Sequence, residues 1–262
     1  MTLRIIRWAA FIGLALGSTG CLFLYDDPWG TGEPTAVREF HRTVPLEAKS
    51  SLKVFNLDGD IEIRGGDRSD AEIIAESEPG RRWIWPLGNR SGRPRIDWAF
   101  ADGELTIRTL WQGDDRAVYP VHLFLNVPHS IDLRDIRTGR GNIVIADLYG
   151  QAAVQVQRGD LKVENFSGSL RAQVWRGEIQ AEVLDPRAGD TIDLAARAGD
   201  ITLILENGAA FKLDAEARDG VTSDFDLRKP LPANRISAVL GVSGAAIILK
   251  APNGRIALHK VQ

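Results

Sequence analysis

Acidic side chains recur in glycine-containing turns along this chain, and their types and spacing come nearest to a reactive or metal-binding site. Stacked carboxylates suit calcium, which takes about six to eight oxygen ligands, and a pair of acids is enough for glycoside cleavage. The sequence lacks the dense Gly-Gly-x-Gly-x-Asp phrase of calcium-binding rolls, and no acidic pair differs from the rest. We therefore interpret these acids as turn-forming residues: Asp60, Asp160, Glu178, Asp190 and Asp200.

Other catalytic groups are equally sparse. Neither a Gly-x-Ser-x-Gly elbow nor a His-Glu-x-x-His phrase occurs. The single cysteine allows neither a Cys/His zinc cluster nor an intrachain disulfide. With 32 basic and 35 acidic side chains, the net charge of −3 gives no case for nucleic acid. The sequence predicts no catalytic residue, metal or cofactor, and places the histidines at the surface or in turns: His41, His122, His129 and His259.

Cys21 is the residue with the clearest chemical role. It follows a short positive region at Arg4 and Arg7, an apolar run over 8–16, and small residues over 17–20. This order is typical of a signal peptide. The apolar run is shorter than the roughly 20 residues that span a bilayer, so we expect cleavage rather than a transmembrane helix.

The segment Ser18-Thr19-Gly20-Cys21 resembles a bacterial lipobox, although Ser18 stands where that family usually has leucine. The resemblance implies that Cys21 carries acyl chains, which together anchor a protein stably in a membrane. By resemblance to the sorting rule of Gram-negative lipoproteins, Leu22 favours the outer membrane. The alternative is an ordinary secretory signal in which Cys21 is incidental.

Tryptophans are concentrated where the regular pattern of the chain is interrupted, over residues 80–120. They suit an aromatic platform for sugars or peptides. Alternatively, they cap the open end of the fold or fill its core. In either case we expect this stretch to form longer antiparallel strands with an excursion at 86–94. We take them as the candidate binding surface: Trp83, Trp85, Trp98 and Trp111.

The elements that must position these residues are short repeated strands. The run over 53–57 meets the turn over 58–60 and then Ile61-Glu-Ile63, which predicts a strand, a tight hairpin-like reversal and a second strand. The same glycine-polar phrase, each time followed by an alternating apolar run, recurs downstream: Gly141-Asn142, Gly159-Asp160, Gly177-Glu178 and Gly199-Asp200.

Aligning these phrases places aliphatic residues at equivalent inward positions, since strand side chains alternate between faces. The first two predicted ladders are Ile143, Leu161, Ile179 and Ile201, then Ile145, Val163, Ala181 and Leu203. The third is Leu148, Phe166 and Leu184. The last two are Val154, Ala172, Leu194 and Ala215, then Val156, Val174, Ala196 and Ala217.

One repeat cannot bury its own apolar face, so equivalent apolar residues of successive repeats must stack on one another. The sequence therefore predicts an all-β fold, a right-handed β-solenoid or β-roll of short strands with Gly-Asp or Gly-Asn corners. We expect a lipoprotein signal peptide over 1–20, the lipidated cysteine and a flexible tether over 21–45, and the β-solenoid domain over 46–262. Residues 80–120 form an irregular excursion within that domain.

The repeats resemble a bacterial putative adhesin family, domain of unknown function 4097, over about residues 50–260. The phrases that carry the resemblance are those over 56–63, 127–128, 158–163 and 253–258. The resemblance implies a β-solenoid or β-roll on the cell envelope and supplies no catalytic residues. Some relatives look like parts of envelope-stress systems.

We therefore expect a noncatalytic envelope lipoprotein that uses its long β-surface for adhesion, scaffolding or partner binding. Its expected partners are the membrane, through the N-terminal lipid, and an envelope glycan or protein, but not nucleic acid. An envelope-stress sensor or regulator is the first alternative. A polysaccharide-active β-helix enzyme is the second.

Overall fold

A computed structural model describes residues 35–36, 39–47, 49–77, 93–112, 120–228, 231–242 and 244–261. Within these ranges the chain is all-β, and it contains no apolar helix of membrane-spanning length. The strands in chain order are β1 (Thr35–Ala36), β2 (Glu39–Pro45), β3 (Ser51–Asp58), β4 (Ile61–Gly66), β5 (Asp70–Ser77), β6 (Arg93–Ala101), β7 (Glu104–Gln112), β8 (Val121–Pro128), β9 (Asp132–Arg140), β10 (Ile143–Arg158), β11 (Leu161–Val174), β12 (Ile179–Val183), β13 (Thr191–Ala196), β14 (Ile201–Leu205), β15 (Phe211–Ser223), β16 (Ala233–Leu240), β17 (Ala245–Ala251) and β18 (Ile256–Lys260).

These strands stack into two layers around a common core, and the long strands β10, β11 and β15 pass from one layer to the other. A rung consists of one strand in each layer, joined at a corner. Layer one has the order β1–β6–β7–β3–β9–β10–β11–β13–β17–β15–β16. Layer two has the order β2–β5–β8–β4–β10–β11–β12–β14–β18–β15.

The predicted ladders are confirmed over the central rungs, and this is a solenoid-like stacking. Leu161 pairs in register with Ile143 on one side and Ile179 on the other, and its side chain is 1% exposed. The full first ladder runs through eight strands of layer two: Leu123, Ile61, Ile143, Leu161, Ile179, Ile201, Ile256 and Val221. The right-handed sense of the winding stays a prediction.

In the third predicted ladder, Leu148 and Phe166 are in register as expected, but Leu184 is one residue beyond the true partner. Phe166 pairs with Val183, which is buried, and not with Leu184. The reason is an extra residue in left-handed conformation, Asp147 in β10 and Asn165 in β11, each just before the inward side chain. Strand β12 has no such residue before Val183, so its simple alternation continues.

The glycine turns are corners between layers, so the prediction of hairpin-like reversals is wrong. Strands β3 and β4 flank Gly59 but pair with other rungs in different layers. The Gly59 N–H donates to the Arg140 carbonyl of the next rung, at 2.8 Å. The chain therefore turns into the opposite layer instead of pairing with itself.

The acids at these corners bind backbone, which confirms the turn interpretation. Asp60 Oδ1 accepts a hydrogen bond from the Asn142 N–H of the next rung, at 2.7 Å. Asn142 Oδ1 accepts one from Asp160 N–H at 2.9 Å, and Asp160 Oδ1 one from Glu178 N–H at 2.8 Å. These three corner side chains thus connect each rung to the next one.

Both ends of the stack depart from chain order. The rung made by β17 and β18 lies between β13–β14 and β15, so Leu249 separates Leu194 from Ala215 in the fourth predicted ladder. At the other end, the β3–β4 rung lies between β7–β8 and β9–β10. Antiparallel strands β2, β5, β6 and β16 complete the two edges.

Part of the predicted tether is structured. Glu39–Pro45 forms β2, which pairs with β5, because Phe40 and Val44 alternate onto the buried face. The predicted range of the tether, 21–45, is therefore too long, because at least β2 belongs to the folded part. Within the stretch over 80–120, the expected antiparallel strands are confirmed as β6 and β7, which pair over 93–112, while most of the expected excursion at 86–94 lies outside the described residues.

The glycine corners allow a direct test of close stacking. Gly159 has φ +133°, and a Cβ there would lie 2.1 Å from the Gly141 carbonyl oxygen. Gly189 has φ +101° with no atom within 4 Å of its added Cβ. We expect Gly159→Ala to lower the free energy of unfolding by about 3 kcal/mol or more, and Gly189→Ala by about 1–2 kcal/mol. Denaturant titration measures both, and equal losses would contradict the stacking.

Candidate functional site

The tryptophans predicted as a binding surface are only partly described. Trp83 and Trp85, like Cys21, lie outside the described residues. Trp98 packs against the core, and the guanidinium of Arg42 lies 5.0 Å from its ring centroid. Because Arg42 belongs to β2 in layer two and Trp98 to β6 in layer one, this contact covers the end of the stack. Trp111 is half-buried in β7. A binding role for the tryptophans stays a prediction.

Each histidine contacts a carboxylate at the surface, and the pairs lie on different strands: His41 with Glu72, His122 with Asp60, His129 with Asp67 and His259 with Asp224. Hydrogen bonds from Asn126, His41 and Arg68 hold the pKa of Glu72 at about 2, far below the neutral range that suits a general acid or base. In the described ranges, no cluster of three or more His, Cys, Asp or Glu side chains is arranged to hold a metal ion.

The candidate site is a groove on the outer face of layer one, where it crosses β7, β3, β9 and β10. We call it the arginine groove. It has a volume of about 560 Å³ and is open to solvent. These are adjacent strands, so the groove extends for roughly 14 Å along the stack, at about 4.8 Å per strand. Its lining side chains that point outward are Phe55, Leu57, Arg108, Leu110, Arg137, Arg140, Gln155, Gln157 and Arg158.

An aromatic ring organises the arginines at the centre of the groove. Phe55 lies on β3, with Arg108 opposite it on β7 and Arg137 opposite it on β9. The guanidinium carbons of these arginines lie 5.4 and 5.6 Å from the Phe55 ring centroid. Cation–π contacts at this distance are attractive. The ring therefore restrains both guanidinium groups. The Nε–H of Arg137 donates to Asp135 Oδ1, which leaves its remaining N–H groups available.

The groove is recessed because Gly139 has no side chain. It lies between Leu57 on β3 and Gln157 on β10, and a Cβ there would lie 2.5 Å from the Leu57 carbonyl oxygen. The recess is thus a consequence of close strand approach. Leu57, 56% exposed, and Leu110 form an apolar rim on one side of it.

Buried polar side chains hold the strands beneath the groove. At the ladder position occupied elsewhere by valine, Asn56 and Thr138 are in register. Asn56 Nδ2 donates to the carbonyls of Gly59 and Val121, at 3.0 and 2.8 Å, and its Oδ1 accepts from the Thr109 hydroxyl at 2.8 Å. These bonds connect β3, β7 and β8 and fix the register of the strands that carry Phe55 and Arg108.

Charge distinguishes this groove from the rest of the molecule. Its lining contains four arginines and no carboxylate, whereas the chain as a whole carries a net charge of −3. Nearby acids pair with two of them: Asp135 with Arg137 at 2.6 Å, and Asp58 with Arg140 at 3.0 Å. Arg108 and Arg158 form no ion pair among the described residues, although Asp97 on β6 is the cross-strand neighbour of Arg108. The groove is therefore electropositive.

Sequence reasoning missed these residues, since the repeats direct attention to inward positions. Phe55 belongs to an alternating run whose inward members are Val54 and Asn56. The only sequence signal for the groove is therefore an aromatic residue at an outward position. Arg108 and Arg137 lie in strands that are not adjacent in the chain, so no spacing joins them.

Residues 126–246 match the family model described as Toastrack DUF4097, a fold that is β-solenoid-like. No curated protein matches the chain. Among solved structures, a putative cell adhesion protein from Clostridium sporogenes is similar at 15% identity and TM-score 0.41, covering 87% of this chain and 100% of its own. A putative adhesin from Bacteroides fragilis has 13% identity and TM-score 0.30, covering 84% and 97%.

The family match confirms the resemblance drawn from the repeats over a shorter stretch than the expected 50–260. It includes β9 and β10, which carry Arg137, Arg140 and Arg158, but not β3 and β7. Residues 126–246 of this chain therefore have the sequence pattern of the Toastrack DUF4097 family.

Proposed function

We propose that this chain is a noncatalytic, lipid-anchored protein of the bacterial cell envelope that binds an envelope partner through the arginine groove. The observation that carries the proposal is the groove itself: four arginines, two of them restrained by Phe55, on a recessed, fully paired sheet surface without a lining carboxylate. A binding protein benefits from such preorganised groups, because little conformational freedom is lost when the partner binds.

The composition of the groove favours binding over polysaccharide cleavage. Glycoside hydrolysis ordinarily needs two carboxyl groups on either side of the scissile bond, and none lines this groove. The corner acids Asp60, Asp160 and Asp200 accept hydrogen bonds from backbone N–H groups of the neighbouring rung. They are therefore committed to holding the rungs together.

The anchor rests on the N-terminal sequence. An acylated Cys21 would hold the chain at a membrane, and the segment between Cys21 and β1 would let the layers extend away from the lipid surface. The stacked strands then present layer one as a rigid platform. Adhesion or scaffolding at the envelope needs only these parts.

Binding can be tested with purified full chain in detergent and envelopes from cells that lack it. We expect Arg108→Ala combined with Arg158→Ala to reduce the bound fraction about tenfold, because charged hydrogen bonds contribute strongly to binding. The matched control is Lys212→Ala with Lys250→Ala, which removes the same charge from exposed positions of layer one near its other end. Equal binding by all three proteins would contradict the role of the groove, and release of reducing ends from the envelopes would contradict a noncatalytic protein.

The anchor can be tested in the producing bacterium with Cys21→Ser. We expect the unmodified chain in the membrane fraction, with an N-terminal peptide whose mass includes acyl chains, since more than one chain gives stable anchoring. The variant should leave the membrane fraction. An unacylated N-terminal peptide in the original protein would contradict the lipoprotein assignment.

A further inference from the structure

The arginine groove places like charges on neighbouring strands, which is unfavourable when no anion is bound. Arg140 and Arg158 are direct partners on neighbouring parallel strands. The Gly159 N–H bonds to the Arg176 carbonyl, so a third arginine follows on the next rung. Like charges on paired positions destabilise a sheet, and of these three arginines only Arg140 forms an ion pair among the described residues. A bound anion would relieve this repulsion.

The chemistry of the side chains indicates which kind of anion fits. A guanidinium is a planar fork that donates two parallel N–H bonds to a carboxylate or phosphate. Arg108 and Arg137 are restrained by Phe55, which lowers the entropy lost on binding. Beside them, Gln155 and Gln157 are exposed amides, which both donate and accept hydrogen bonds. Anionic groups and hydroxyls together are the features of an acidic sugar.

The order of side chains along the stack suits a linear repeating ligand. Arg108, Phe55, Arg137, Gln155 and Gln173 occupy one row across five neighbouring strands. That row is roughly 19 Å long at about 4.8 Å per strand. Further along the same face, the Arg197 guanidinium lies 4.2 Å from the ring centroid of Trp175, which is 56% exposed. The motif of an arginine braced by an aromatic ring therefore recurs.

Two other polyanions fit less well. An acidic peptide commonly binds a sheet by adding a strand, but β7, β3, β9 and β10 are already paired on both sides. Single-stranded nucleic acid binds by stacking bases on aromatic rings. The Phe55 ring already has two guanidinium groups over it.

We propose that the arginine groove binds a linear acidic polysaccharide, with Arg108, Arg137 and Arg158 holding its anionic groups and Gln155 and Gln157 its hydroxyls. The inference rests on the proposed function and names the partner class of the same surface. Because several charges act together, binding weakens as ionic strength rises.

Polygalacturonate and its methyl ester test this proposal, since they share a backbone and differ in charge. With purified full chain, we expect polygalacturonate to bind at least about tenfold more tightly than the ester, and Arg108→Ala with Arg158→Ala to weaken that binding by about tenfold or more. Arg108→Lys with Arg158→Lys keeps the charge but loses the two-bond geometry, so it should recover only part of the affinity. The Lys212→Ala and Lys250→Ala control should bind within about twofold of the unchanged protein.

Three results would overturn the acidic polysaccharide. They are no binding to polygalacturonate, equal binding to its ester, or equal binding to polyglutamate or single-stranded DNA. If the groove variant still loses envelope binding in that case, the binding surface stands and only the ligand class falls. If the variant keeps envelope binding, the proposed function falls as well.

Discussion

Close stacking of backbone at the glycine corners is the constraint on which the rest of this structure depends. Each central corner glycine approaches the carbonyl of the corner before it so closely that a Cβ would overlap it, as Gly159 and Gly177 show at 2.1 Å. At four corners, the side chains of Asp60, Asn142, Asp160 and Asp200 then accept a backbone hydrogen bond from the neighbouring rung. This contact sets one rung directly over another, so equivalent aliphatic side chains meet and bury a continuous core.

The same register builds the outer surface. When inward residues are aligned across strands, outward residues are aligned as well, since successive side chains of a strand point to opposite faces. Arg108, Phe55 and Arg137 come from segments far apart in the chain, yet they occupy one row. The groove therefore uses the same strands and the same register as the core. Its specific features are Gly139, which leaves the recess, and Asn56, which ties the strands beneath it.

The central rungs could be predicted from sequence because a corner glycine followed by an alternating apolar run repeats at nearly constant spacing. The insertion of β17 and β18 before β15 could not, because a rung that pairs out of chain order leaves no spacing signal. The shift to Val183 depends on backbone conformation at Asn165, which residue type alone does not determine. The groove was missed for a related reason. Outward residues face solvent and need not repeat, so they leave no periodic pattern in the sequence.

Disulfide cross-linking between rungs tests the register most directly. Lys162 and Gln180 are exposed partners on β11 and β12, and Thr202 lies one rung further at the same row. In a chain with Cys21 replaced, mild oxidation should join Lys162→Cys to Gln180→Cys, because paired strands lie about 4.8 Å apart. Lys162→Cys with Thr202→Cys, roughly twice as far apart, should stay reduced. Cross-linking of the distant pair but not of the adjacent one would contradict the stacked architecture and the groove built upon it.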